Sequence, residues 1–374
     1  MNTPQLRDSC ASKLETAAPQ ISQIQAFVGL DGFVDEILHV VDKRADSENF
    51  QRLPTIKRLA ERVAAAAGKS TNIELVTKVI KLGGNGPIMA NALASLGLRV
   101  TYLGTLGYPD LHPVFKKFAQ NADVFSVAEA AHTDALEFED GKLMLGKMVP
   151  LSDMTWANIE ERFGREKFAT HFAGSHLVAF VNWTMIPHMS QIWEFLLAEM
   201  CPSLSGGKHK LFFDLADPEK RTPADIRHAL QLIERFGNYF DVILGVNEKE
   251  ACEIAKAIGV PVRPLTPEGV SGMALEMASK LSVETLVVHP VAYALAIRSG
   301  KLEVVEGPLI EKPVITTGAG DHFNSGFCIG QLLGLSTAES LLCGVSTSGY
   351  YVRTAQSPSV LQLADLIRNW PASA

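Results

Sequence analysis

Between Val314 and Gly326 the chain reads Val-Ile-Thr-Thr-Gly-Ala-Gly-Asp-His-Phe-Asn-Ser-Gly, small residues that run into a helix with apolar positions at Phe323 and Phe327. The open first turn of a helix presents backbone N–H groups without partners, and its dipole adds positive potential. Thr317, Gly318, Ala319 and Gly320 are therefore a candidate anion hole. Asp321 stands in the same turn. A carboxylate there repels a bound phosphate unless its task is to take a proton from an attacking hydroxyl, the work of a general base in phosphoryl transfer. The same residue also fits an acid that merely favours the positive end of a helix.

Such residues need a scaffold that brings several loops to one edge. Apolar runs at Ile24–Val28, Val100–Leu103, His176–Val181, Leu211–Leu215, Val242–Val246 and Leu286–Val288 read as strands. Helical periodicity follows at Gly86–Leu96, Met189–Met200, Pro223–Phe236, Glu248–Ile258 and Met273–Leu281. Strand-helix alternation implies crossover units and a mostly parallel sheet covered on both faces. Ile37–Val41 and Ile73–Ile80 alternate like half-exposed strands, Arg52–Ala67 reads as a helix, and Glu137–Met148, centred on Asp140-Gly141, as a hairpin foreign to a parallel layer. Tyr293–Arg298 and Leu302–Val305 flank Ser299-Gly300 as a second hairpin. Two helices follow, the later one opened by a capping box at Ser336 and Glu339.

The segment GAGDHFNSGF resembles the nucleotide-side signature of the ribokinase family of carbohydrate kinases. The resemblance implies an α/β fold, a ribokinase-like three-layer sandwich with a mostly parallel central sheet and a small β lid. It also implies a nucleotide-dependent kinase that phosphorylates a hydroxyl of a sugar or a related small polyol or sugar acid, with Asp321 as base. Lys81-Leu82-Gly83-Gly84-Asn85-Gly86, with Ala90 and Leu93–Gly97, is similar to the family's substrate-side glycine motif. Gly83 and Gly84 would let the backbone approach a hydroxylated ligand, and the helix start at Asn85 would offer donors. In Gly29-Leu30-Asp31-Gly32-Phe33-Val34-Asp35, Asp35 matches the acid that binds substrate hydroxyls, and Asp31 shares the turn; both also read as plain loop acids. Asn247-Glu248-Lys249-Glu250 resembles the family's Asn-x-x-Glu motif. Asn247 and Glu250 would help hold magnesium and its water shell, with no direct protein ligand expected, although a helix N-cap fits the same letters. Asp214-Leu215-Ala216-Asp217-Pro218 with Arg221 is a further polar group after a strand.

Three positions depart from the family pattern. Ile88 replaces an expected substrate-contacting Asn, Ile315 an acid associated with a monovalent-cation site, and His289-Pro290-Val291-Ala292-Tyr293 a Thr-x-Gly-x-x-Gly near the nucleotide. The Gly-Leu-Asp-Gly-Phe-Val-Asp opening is also similar to ADP-dependent sugar kinases, so ATP is the expected donor and ADP the alternative. Residues 1–374 are expected to form one domain with a discontinuous lid near 36–42, 72–81 and 130–150, which would exclude water from the transfer. Exposed lid edges would suit a homodimer. The competing readings are a nucleoside kinase of the same fold and a nucleotide- or sugar-binding sensor without chemistry.

Bulk properties narrow the field. A net charge of -7 argues against a protein held to a phosphate backbone, so nucleic acid is not an expected partner. Five cysteines, none in a CxxC pair, suit reduced thiols and a cytoplasmic location. The polar N-terminus lacks a secretory pattern, and no apolar run is long enough to span a bilayer. Two imitations are set aside: Val63–Ser70 ends like a P-loop but follows a helix, and Gly344–Gly349 has the wrong spacing for a nucleophile elbow. The ten histidines show no zinc spacing.

Overall fold

Alternation of apolar strand and amphipathic helix folds into one large sheet buried on both faces. The computed structural model describes residues 2–371; Met1 and residues 372–374, the outer ends of the expected single domain, lie outside it. Fourteen strands run through the described residues: β1 (Gln25–Gly29), β2 (Phe33–Arg44), β3 (Phe50–Arg52), β4 (Leu75–Gly83), β5 (Arg99–Gly104), β6 (Asp123–Ser126), β7 (Ala131–Phe138), β8 (Gly141–Lys147), β9 (Leu177–Val181), β10 (Lys210–Asp214), β11 (Asp241–Val246), β12 (Thr285–Val288), β13 (Tyr293–Arg298) and β14 (Lys301–Glu306). Nine of them form a sheet in the order β14-β13-β12-β11-β10-β9-β1-β5-β6. From β6 to β12 the pairing is parallel, and β13 and β14 close one edge antiparallel. Phe27 of β1 joins the core on one face while Ala26 and Val28 join the core on the other, so helices must cover both sides. The result is the ribokinase-like α/β fold that the residues imply.

A second, smaller sheet is built on β2, which starts only three residues after β1. It pairs antiparallel with β4 and parallel with β7; β8 pairs antiparallel with β7, and β3 pairs with the far end of β2. Leu38, Val40, Leu53, Leu59, Leu136 and Phe138 give this sheet a small core of its own.

Several boundaries differ from the sequence reading. The strand expected at Ile73–Ile80 runs from Leu75 through Gly83, because its glycine serves a close strand approach rather than a loop. The helix expected from Arg52 begins at Ile56, capped by Thr55, since Phe50–Arg52 pairs with β2. The helix near Met273 starts at Pro267 behind a Thr266 cap. Three helices occupy the C-terminal stretch, Ala319–Leu332, Thr337–Thr354 and Val360–Arg368, where two were expected. The capping box at Ser336 and Glu339 is present. An unexpected helix at Pro4–Ala17 buries only Cys10, Ala11 and Leu14, a stripe of mostly small residues that gives little apolar periodicity. No helix among the described residues is long and apolar enough to cross a membrane.

Candidate active site

The parallel strands deliver their chemistry at one edge. β1 ends before Asp31, β9 before Asn182, β10 at Asp214, β11 before Asn247 and β12 before His289, the strand ends where open α/β sheets collect ligands. The helix Ala319–Leu332 starts over the same edge. Gly318 caps it in the left-handed region at φ 94°, no side chain takes the cap, and of the first-turn amides that of Ala319 donates to the Thr316 carbonyl at 3.1 Å. Tyr351 Oη donates to the Thr317 carbonyl at 3.0 Å. His322 Nδ1 lies 2.7 Å from the Gly318 carbonyl, and its Nε2 lies 2.8 Å from Ser357 Oγ. With the His322 and Tyr351 rings stacked at 3.6 Å, these contacts fix the loop that leads into the helix.

Asp31 organises the acceptor side. It is fully buried and accepts from the Asn85 amide at 3.0 Å, the Gly86 amide at 2.8 Å and Asn182 Nδ2 at 2.7 Å. Burial outweighs these donors and lifts its carboxyl to about 6. Asp31 therefore anchors the start of the helix Asn85–Ser95 from below. Asp35 lies on β2 opposite Lys81 of β4 and beside Thr133 of β7. A Cβ on Gly83 would fall 2.3 to 2.5 Å from the Asp35 carboxyl, so glycine is what gives that group its room.

The two motifs meet at Asp321. Asn85 Nδ2 donates to Asp321 Oδ1 at 3.0 Å across 236 positions of sequence. Burial, then the Asp214 carboxylate, pushes the Asp321 carboxyl well above the ordinary carboxylate range, while Asn85 opposes the shift. Asp214 is itself buried, accepts from Asn324 Nδ2 at 2.9 Å and from the Ala216 amide at 2.8 Å, and is raised to about 8 by burial and by Glu250. Asp35, Gly84, Asn85, Ile88, Thr317, Gly318 and Asp321 line one cleft of about 320 Å3, with Met144, Met148, Met185 and Glu250. A second cleft, of about 350 Å3, lies on the other side of the anion loop, lined by Asn247, His289, Thr316, Ala319 and Gly320 and by apolar residues such as Leu309 and Val352.

Asn247 and Glu250 form a capping box: Asn247 Oδ1 accepts from the Glu250 amide at 2.9 Å, and Glu250 Oε2 from the Asn247 amide at 2.8 Å. Glu250 Oε1 also accepts from the Asp217 amide at 2.9 Å. Burial raises the Glu250 carboxyl. Oxygen donors on the half-buried Asn247 and the buried Glu250 suit a hard cation met through water. The more exposed cluster of Asp217, Glu219 and Glu253 already surrounds the Lys249 ammonium.

The departures also have places. Ile88 packs against Gly318, 3.2 Å from where a Cβ would stand, joining the two motif helices by apolar contact where the family pattern has a polar one. His289 packs at a tilt against Phe323, ring centres 4.7 Å apart, beside the second cleft. Ile315 is half-buried in the segment leading to the anion loop. Asn182 and Asn324 were not singled out in the sequence; the signal that finds Asn182 is its place directly after a buried parallel strand.

The chain is similar to proteins of known family and fold. A family profile described as prokaryotic ketohexokinase matches residues 3–370. A ketohexokinase of Haloferax volcanii is 28% identical over 363 residues, covering 96% of this chain and 94% of that protein. Among solved structures, Arabidopsis thaliana ribokinase complexed with ribose and ATP aligns over 92% of this chain and 98% of its own, at 17% identity and a TM-score of 0.61. Cryptococcus neoformans ribokinase in complex with ADP aligns over 91% and 98%, at 17% identity and a TM-score of 0.62. Those structural likenesses carry the fold, and the sequence match carries the family. The chain belongs to the prokaryotic ketohexokinase family of ribokinase-fold carbohydrate kinases, enzymes that transfer a phosphoryl group to an alcohol.

Proposed function

We propose that this enzyme phosphorylates a hydroxyl of a neutral ketohexose, with ATP as donor and Asp321 as general base. The observation that carries the reading is the Asn85–Asp321 hydrogen bond, which joins the acceptor-side turn to the anion loop at a buried carboxylate placed to take the proton. Asp35 and the Gly83–Asn85 turn hold the sugar, the first-turn amides from Gly318 to Asp321 face the terminal phosphate, and Asp321 removes the hydroxyl proton as its oxygen attacks. Asn85, by donating to Asp321, keeps the carboxylate aimed into the cleft.

Charge selects the acceptor. Asp35, Asp217, Glu250 and Asp321 all line the cleft, and Lys220, which lines it too, is paired to Asp217 at 3.2 Å, so acids outnumber cations there. Carboxylates repel a sugar acid or a sugar phosphate but bind neutral hydroxyls, so a neutral ketose fits better than an anionic substrate. The magnesium ion that accompanies a nucleotide would neutralise phosphate charge, and Asn247 and Glu250 are the residues that would hold its water shell. The apolar second cleft suits the donor's base.

The small sheet serves as the lid, since its Asp35 face forms one wall of the cleft. On its edge strand β4, Leu75, Val79 and Ile80 are 41%, 45% and 53% exposed, which favours a second copy as the partner of that edge. The test is phosphate transfer from ATP, and separately from ADP, with magnesium to fructose, other ketoses, sugar acids and nucleosides, read by mass spectrometry, with sedimentation of the same preparation reporting the dimer. Fructose phosphate from ATP is expected, and Asp321→Asn should lower kcat by about 10³-fold while leaving nucleotide affinity in place. Product formed at an undiminished rate by Asp321→Asn removes Asp321 from the base role.

A further inference from the structure

Phosphoryl transfer into this cleft poses a charge problem that the groups described so far leave half solved. The group in flight is anionic, and on the acceptor side it meets the carboxylates of Asp35 and Asp321. The anion loop and a nucleotide-bound cation serve the donor side only. The acceptor side needs a positive charge of its own, supplied by an element that faces both carboxylates.

Lys81 meets that description. It lies on β4 directly across from Asp35 of β2, and residues opposite each other in an antiparallel pair project to the same face. Gly83, two positions along β4 and on that same face, backs the Asp35 carboxyl, so this is the face turned to the cleft. Neighbouring lysines of the small sheet are neutralised locally: Lys78 pairs with Glu137 at 3.0 Å, Lys142 with Glu137 at 3.6 Å and Lys147 with Asp134 at 2.8 Å. The Lys81 ammonium makes no hydrogen bond or ion pair with any described residue, although it is half-buried. Burial lowers its pKa, while Asp35 and then Asp321 hold it up, so both carboxylates act on the same ammonium. A lysine that gives up water without gaining a partner is costly in the free protein, and the cost is recovered when an anion arrives.

We infer that Lys81 is a catalytic cation of the transfer, its ammonium contacting the oxygens of the phosphoryl group as it passes from the donor to the sugar hydroxyl. The inference rests on the kinase reading above. In the step, the bond between the acceptor oxygen and phosphorus forms, the bond from phosphorus to the bridging donor oxygen breaks, and the hydroxyl proton goes to Asp321. Lys81 neither gains nor loses a proton. Because it is carried on the small sheet, its charge is delivered from the wall opposite the anion loop.

The experiment compares Lys81→Met, Lys81→Gln and Lys81→Arg in the full chain, measuring fructose and ATP affinities by calorimetry and the rate of a single turnover. Lys81→Met and Lys81→Gln should each slow the single turnover by about 10²-fold with fructose affinity changed less than about threefold, and Lys81→Arg, which keeps the charge, should recover at least a tenth of the rate. A merely structural lysine that balances Asp35 gives the opposite split, weaker fructose binding with an unchanged turnover rate, and that result overturns the inference. Circular dichroism identifies a variant that has not folded; the glutamine variant, which keeps most of the side chain's length and polarity, then decides alone. Should the unmodified enzyme form no ketose phosphate, the kinase reading itself fails; transfer by the unmodified enzyme together with an unslowed Lys81→Gln sinks only the role of Lys81.

Discussion

The two walls of the cleft are made differently. Along the nine-stranded sheet, β9, β10 and β12 are buried almost without a break, and the carboxylates at their ends are tied down by amide donors: Asp31 by three, Asp214 by two. Along the small sheet, β4 and β8 are largely exposed, and most of their charged residues are met by surface ion pairs of the kind worth little in water. One wall is preorganised for charge that develops in the reaction. The other is only lightly anchored, by a small core and by the three-residue link from β1 into β2. The contrast puts dense packing behind Asp321 and the Gly318 loop and looser packing behind Asp35, which is the division that the proposed base and the proposed sugar-binding wall call for.

Breaking the buried wall should cost stability. Asp31→Ala leaves the Asn85 and Gly86 amides and the Asn182 side chain without their acceptor, a loss of about 3 kcal/mol in urea unfolding. The buried Trp183 and Trp193 give the fluorescence signal for that measurement. A loss under about 0.5 kcal/mol would mean that Asp31 is not the anchor described. Breaking the small sheet should instead cost binding. Gly83 is absent from the positive-φ positions, so alanine there meets no backbone strain, only the Asp35 carboxyl 2.3 Å from its new Cβ. Gly83→Ala should raise the KM for the sugar about tenfold while nucleotide affinity and unfolding midpoint stay put. An unchanged KM would show that Asp35 does not grip the acceptor.

How much of this could be read from residues alone follows the same division. The helix-start reading of the Gly318 loop with Asp321 followed from a local rule, small residues where a helix begins, whereas Gly83, Gly84 and Asp35 stood out through the resemblance to the family's motifs, and Asp35 lies inside β2 rather than in a loop. The partners that hold those groups were not legible. Asn182 reaches Asp31 across 151 positions and Asn324 reaches Asp214 across 110, and no local spacing encodes such contacts. Asp214 stood out only as one more acid after a strand, and its importance to Asp321 appears once both are buried together. The alternation of strand and helix gave the parallel layer, whereas the helix Pro4–Ala17, buried through small residues, left too weak a stripe to read.

The smallest effect tests whether the buried wall also sets the working pH. Asp321 must be ionised to accept a proton, and both burial and the Asp214 charge favour its protonated form. The acid limb of kcat/KM should therefore lie above the ordinary carboxylate range, with activity lost as pH falls through it and regained as pH rises. Asparagine at position 214 can still accept from the Ala216 amide but carries no charge, which removes the repulsion and leaves the burial. Asp214→Asn should move the limb to lower pH by about half to one unit, still short of a free aspartate, in initial rates taken at low sugar from about pH 5 to 9. A limb that does not move would detach Asp214 from the base. The same shift in Asp321→Asn is excluded by construction, since that variant has no base left to titrate, so residual activity there should be flat across the range.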